Sequence, residues 1–213
     1  MVQVKGYFSG FARIKNVSVG ILYILFTLWL ILHTTQYIQD GQQEFWYRVF
    51  IFYGLLNALI IGNADLRNKL FNVRMVDFIP RFLLFFGVGM LFFYIMLTYF
   101  DPLKYSFFGA LANIPLWLGL LHVFVFATTE SVIWQGYLDN LLGHPWSELS
   151  AGIFHWGIWS GGAIVVIPSA TLLFMFFSYV NYRFAKGKND LSPAIGTHSA
   201  WNLIKISLAP LGV

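Results

Sequence analysis

The chain alternates long apolar runs with short polar breaks, and the runs have the length of a membrane-crossing helix. A helix needs about 20 mostly apolar residues to span the hydrocarbon core of a bilayer. Runs of that kind cover 17–38, 45–62, 78–100, 106–142, 146–166, 169–184 and 191–209. The polar 39–44 segment, with Asp40 and Glu44, closes the first run. A basic stretch with Arg67, Lys69 and Arg74 follows the second, and Asp101-Pro102 ends the third. Pro80 is expected in the first turn of the third helix, where a missing N–H costs little. Pro115 is expected to kink the fourth. Gly143-His144-Pro145 reads as a turn, Pro168 as the break between the fifth and sixth runs, and 185–190 as a loop. The fold class is therefore all-α, a polytopic membrane helix bundle of about seven transmembrane helices. Six or eight are compatible with the irregular fourth and fifth runs. One integral membrane domain over 1–213 is the simplest organisation, with no internal repeat.

Composition narrows the class. Of 213 residues 58% are hydrophobic and 10% charged, and mean hydropathy is +0.69. A soluble domain carries roughly 25% charged residues. There is no cysteine, which excludes disulfides and thiolate metal sites. The formal charge of +4 is small and scattered. Nucleic-acid binding wants a basic face with exposed aromatics, whereas here the aromatics lie in apolar runs and read as lipid-facing and interfacial packing. The first run follows Lys5, Arg13 and Lys15 and lacks a small-x-small cleavage site, so it reads as a retained span.

Short loops rich in Lys and Arg face the cytoplasm. With the N-terminus inside, Lys5, Arg13, Lys15, Arg67, Lys69, Arg74, Arg183, Lys186 and Lys188 all fall inside. Arg48, Lys104 and Lys205 fall outside. A prokaryotic plasma membrane suits this chain better than an organelle membrane. At ~1.5 Å per residue, Glu130 then lies roughly 18 Å from the cytoplasmic surface, His155 about 13 Å and His198 about 10 Å. The three share one layer in the cytoplasmic half of the bilayer.

Ionisable groups in lipid are costly and are functional candidates by default. Glu130 is the one acid far from any expected surface, and burial suits a carboxylate to act as a general base. His155 at similar depth could share the proton of the same water. His198 and Asn202 are four apart, on one helix face, and both can donate to a developing oxyanion. Glu130, His155 and His198 could also bind zinc, but their intervals of 25 and 43 residues match no local metal motif. No cofactor is favoured. His33 and His122 are expected on the wrong side for this site, and His144 solvated in its turn.

The order of these pieces resembles the CAAX-prenyl endopeptidase and bacteriocin-processing (CPBP or Abi) family of multi-pass membrane proteins, whose motifs are E-E-x-x-x-R-G, F-x-x-x-H and H-x-x-x-N. The stretch from Glu130 to Gly136 aligns with the first motif, His155 with the second, and the stretch from His198 to Asn202 fits the third fully. Leu191-Ser192-Pro193-Ala194-Ile195 precedes that histidine as a similar run does in the family. The resemblance covers about 105–209. It implies a protease core there, with accessory spans over 1–104. It implies a water activated by Glu130 and His155, with the oxyanion held by His198 and Asn202. The partners implied are the lipid bilayer and a peptide or protein substrate at the cytoplasmic face, with other membrane subunits possible. The chain departs from the family at Ser131 (Glu there), Gln135 (Arg there) and Ala151 (Phe there). Ser131 and Gln135 are four apart and so are expected to be neighbours, a neutral pair in place of a charged one.

The leading expectation is an intramembrane endopeptidase. The alternatives are a catalytically inactive relative that scaffolds a membrane partner, motivated by Ser131 and Gln135, and a proton-coupled transporter using Glu130.

Overall fold

The computed structural model describes residues 53–54, 56–99, 116–156, 163–187 and 189–208. The expected first span, the start of the second, Pro115, His33, Arg48 and Lys104 lie outside these residues. All described secondary structure is helical, with no strand among the described residues. Residues 56–62 are helical and lead to α1 (Ala64–Phe71), α2 (Met75–Tyr99), α3 (Leu116–Leu141), α4 (Trp146–Trp156), α5 (Ala163–Phe184) and α6 (Ser192–Leu208). Three of these are long and apolar enough to cross a membrane, over Met75–Ile95, Leu116–Leu141 and Ile164–Phe184.

Local chemistry sets the boundaries. Asn63 caps α1, its side chain accepting from the backbone N–H groups of Asp65 and Leu66, a common use of asparagine at a helix start. The basic stretch after the second run is thus a short helix rather than a loop. The Asp190 carboxylate accepts from the Ser192 N–H at the entry to α6 and from the Lys186 N–H, both at 3.0 Å.

Two prolines fall elsewhere than expected. Pro168 does not separate two helices. It is the sixth residue of α5, and Pro80 is likewise the sixth of α2. A proline so near a helix start removes one i→i−4 bond and disturbs only the opening turns. For Pro168 the carbonyl left over belongs to Ile164, which is 90% exposed. The described part of the expected fifth span is α4, 11 residues long and so only about 16 Å, with the span's last four residues, 163–166, at the start of α5.

The site-bearing helices pack closely because glycines face backbone. A Cβ at Gly196 of α6 would stand 2.6 Å from the Phe78 carbonyl oxygen of α2, and one at Gly152 of α4 would stand 2.6 Å from the Ile167 carbonyl oxygen of α5. Small residues at such crossings let helices approach where no hydrophobic effect drives them together. The most extensive contacts are α6 on α2 and α5 on α4, and α6 also packs on α3. The core between them is aromatic: Trp134, Phe154, Phe174 and Phe177 are all at most 2% exposed. These rings lie inside, while other aromatics of the described residues, Phe92, Trp117 and Tyr182 among them, are exposed.

Candidate active site

α3 is not a uniform α-helix. It widens to π geometry over Leu121–Phe126 and again over Trp134–Leu138, on either side of Glu130. π segments within α-helices often mark functional sites, because the wider turn alters the backbone pairing. In both segments a carbonyl accepts from a side chain of another element. The His122 carbonyl accepts from the Asn202 amide at 2.9 Å, and the Gly136 carbonyl from Lys69 Nζ at 2.7 Å.

Between them, Glu130 is 4% exposed and receives groups from three other helical segments. Its Oε2 lies 3.1 Å from His198 Nε2 of α6 and 3.7 Å from His155 Nε2 of α4. Its Oε1 accepts from the Tyr53 hydroxyl. Glu130, His155 and His198, expected at one depth, are thus brought together.

The neighbours fix the imidazole tautomers. His155 Nδ1 lies 2.8 Å from the Ala151 carbonyl. A carbonyl only accepts, so Nδ1 carries the proton, and in the neutral ring Nε2 faces Glu130 as an acceptor. His198 is reversed. Its Nε2 faces the carboxylate and donates, and its Nδ1, 3.3 Å from Ser131 Oγ, accepts the hydroxyl proton. One histidine therefore offers Glu130 a lone pair and the other a proton. Phe177 stacks on the His198 ring at 4.5 Å, and Phe174 packs against both imidazoles at 5.0 and 5.4 Å. These rings fix the imidazole planes and keep the surroundings apolar.

Ser131 and Gln135 do not pair with each other. The widened turn from Trp134 turns Gln135 toward α5, where its Nε2 reaches Ser178 Oγ at 3.5 Å, while Ser131 serves His198. Asn202 is buried beside the cluster rather than in it. One of its amide hydrogens is engaged at His122, and the other is available. Lys205, expected on the outer side of the bilayer, is 7% exposed within α6, in Coulombic range of Glu130, His122 and His198.

Two residues of the cluster were not foreseen. Tyr53 comes from the N-terminal half. Its signal was Tyr53 and Asn57 four apart in an apolar run, and Asn57 also meets Thr129 at 3.1 Å. His122 lies eight residues before Glu130, with Phe126 between, a spacing that puts all three on one helix face. His122 borders the site, contrary to the expectation that placed it on the far side.

A second cluster lies at the far end of α3. His144 is not solvated in its turn. Its side chain is 17% exposed, hydrogen-bonded to Glu148, and 3.9 Å from Asp139. Ser147 Oγ donates to Asp139 and lies 3.1 Å from Glu148 Oε2. Burial opposes a charged imidazole here, but the hydrogen bond to Glu148 and the charges of Asp139 and Glu148 outweigh it, so His144 titrates above its usual range. Asp139, His144 and Glu148 are also the trio, among the described residues, whose ligand atoms all lie within 4.8 Å of one another. Glu130, His155 and His198 do not form such a set, so the fit of a metal ion is poorer at them.

Compared with known protein families, characterised proteins and solved structures, the chain gives no match.

Proposed function

We propose that this protein is an intramembrane endopeptidase of the CPBP type, in a multi-pass bundle with its N-terminus in the cytoplasm. The observation that carries the reading is one buried carboxylate, Glu130, meeting two histidines of opposite tautomer from two other helices. Glu130 Oε2 and His155 Nε2, two acceptors 3.7 Å apart, suit a water that donates one hydrogen to each and turns its lone pair outward.

That water adds to a peptide carbonyl carbon while its proton passes to Glu130, with His155 holding the other hydrogen. The resulting oxyanion accepts from His198 Nε2–H and from the second N–H of Asn202. Collapse breaks the C–N bond, and the amine leaves with the proton held by Glu130. The products are a carboxylic acid and an amine. Ser131, standing where the family has Glu, keeps a role by fixing His198 as a donor. Its hydroxyl supports a working site rather than a scaffold that has lost its chemistry.

The test is cleavage of a membrane-associated peptide library by purified protein in lipid nanodiscs. Wild type cuts, and Glu130→Gln and His198→Ala do not, although both accumulate and fold. Cleavage that persists in Glu130→Gln would falsify the mechanism.

A further inference from the structure

The first π segment of α3 leaves buried polar atoms that the proposed hydrolysis does not use. Both ring nitrogens of His122 are closed off from solvent and have no hydrogen-bond partner among the described residues, and the same holds for Asn202 Oδ1. Asn202 is 2% exposed. Buried polar atoms are nearly always paired, and leaving them unmet costs stability. Unmet groups that persist beside a candidate site point to an absent ligand.

The chemistry of these atoms says what kind. A neutral imidazole offers one donor and one acceptor, and the Asn202 oxygen is a second acceptor. An anion brings only acceptors and would leave Asn202 Oδ1 unmet. A secondary amide brings one N–H and one C=O on opposite edges. His122 and Asn202 stand on facing helices, α3 and α6, tied by the Asn202 amide on the His122 carbonyl.

We infer that His122 and Asn202 form a subsite for one backbone peptide group of a substrate strand lying between α3 and α6, its C=O accepting from the His122 ring and its N–H donating to Asn202 Oδ1. The inference extends the peptide-hydrolase reading and names its substrate form, an extended segment rather than a helix, since helical N–H and C=O groups are already paired. The His122 ring packs edge-on against Phe126 at 5.8 Å. Phe126 stacks on Tyr53 at 3.9 Å, and Tyr53 holds Glu130. Asn202 gives its second N–H to the oxyanion and its Oδ1 to this subsite, and both atoms belong to one amide. At about 3.3 Å per residue of extended strand, the subsite therefore reads a peptide group one or two residues from the bond at Glu130.

The experiment titrates a single peptide unit, N-methylacetamide, into nanodisc-embedded protein carrying 15N-labelled histidine. The His122 ring signals are assigned by their loss in His122→Phe. The amide shifts these signals saturably in wild type and equally in Glu130→Gln. Methyl acetate, which lacks the N–H, binds about tenfold more weakly, the size of one hydrogen bond. His122→Phe abolishes the probe's thermal stabilisation yet melts no lower than wild type, because it removes two unmet polar atoms. His122→Gln restores part of the binding and covers a misfolded Phe variant. No shift at His122, equal binding of amide and ester, or unchanged probe stabilisation in both variants overturns the subsite. Saturable binding at His122 without any peptide cleavage by wild type overturns the hydrolase reading and leaves the subsite standing.

Discussion

The two ends of the second half of α3 carry the same residue types in opposite proportion. At Glu130 one carboxylate meets two histidines, and at the Gly143 turn one histidine meets two carboxylates, Asp139 and Glu148. The first group is walled by Phe174 and Phe177 and held by Tyr53. The second is threaded with serines: Ser147 reaches both acids, Ser150 donates to the Ser147 carbonyl, and Trp134 Nε1 lies 3.3 Å from Ser150 Oγ. A single acid between two imidazoles of opposite tautomer has a lone pair and a proton at hand for a third molecule. Two acids on one imidazole have their valences turned on each other and on hydroxyls, which locks the turn joining α3 to α4. On the proposed function, the difference separates a site arranged for chemistry from one arranged for shape.

The largest effect that can break this contrast is at Glu130. Glu130→Gln keeps the shape and an acceptor for Tyr53 but removes the base. Cleavage falls by a factor on the order of 10²–10⁴, the usual contribution of a positioned base, while stability falls by about 1–3 kcal/mol, because the Gln amide cannot accept from both Tyr53 and His198. The paired measurement is turnover and chemical unfolding in one lipid system. Large destabilisation with cleavage preserved would reverse the assignment of the two groups.

The turn answers the other way. His144→Ala leaves cleavage within a few-fold and destabilises by about 2 kcal/mol at low pH, as for a hydrogen bond to a charged group. The effect depends on pH with a definite sign. Folding raises the His144 pKa above its unfolded value of about 6.5, against burial and through Glu148 and Asp139. The protonated ring therefore contributes its full stability below about pH 6.5, and that stability is lost as pH rises through the folded value. The gap between wild type and His144→Ala should be wide at about pH 5.5 and narrow at about pH 8.5. A gap constant across that range removes the charged histidine from the account.

Why one group was legible in the sequence and the other was not follows from the same contrast. Glu130, His155 and His198 interrupt apolar runs, and helix rise with loop charge is enough to bring them to one depth. Their convergence follows from α4 and α6 packing against α5, and from α6 packing on α3. His144 and Glu148 sit at a Gly-Pro turn, where polar residues are ordinary, so their burial left no trace in the pattern. Tyr53 and His122 were hidden for another reason. Tyr53 reads as one more aromatic of an apolar run, and the face that His122 takes follows from the π segment at Leu121–Phe126. The placement of Pro168 misled in turn, because a proline six residues into a helix reads like a break although it removes a single bond. Among the described residues, three helices carry the length and apolarity the pattern required.

The smallest effect tests the position where the chain departs from the family it resembles. Ser131 is fully buried and donates to His198 Nδ1, which leaves Nε2–H pointing at Glu130. A carboxylate in its place would accept from Nδ1–H and leave a neutral ring with Nε2 as an acceptor, facing another acceptor at 3.1 Å. The imidazolium would then be favoured. Ser131→Ala removes the restraint without a new charge, so the tautomer is free to exchange and cleavage falls by about tenfold, one hydrogen bond's worth. Thr at this position retains the hydroxyl and should restore activity. Ser131→Glu should shift the acid limb of the rate profile, because His198 becomes charged over a wider pH range. Equal rates and equal pH profiles for Ser, Ala and Glu at 131 would show that the His198 tautomer is set by Glu130 alone, and the serine would then be packing.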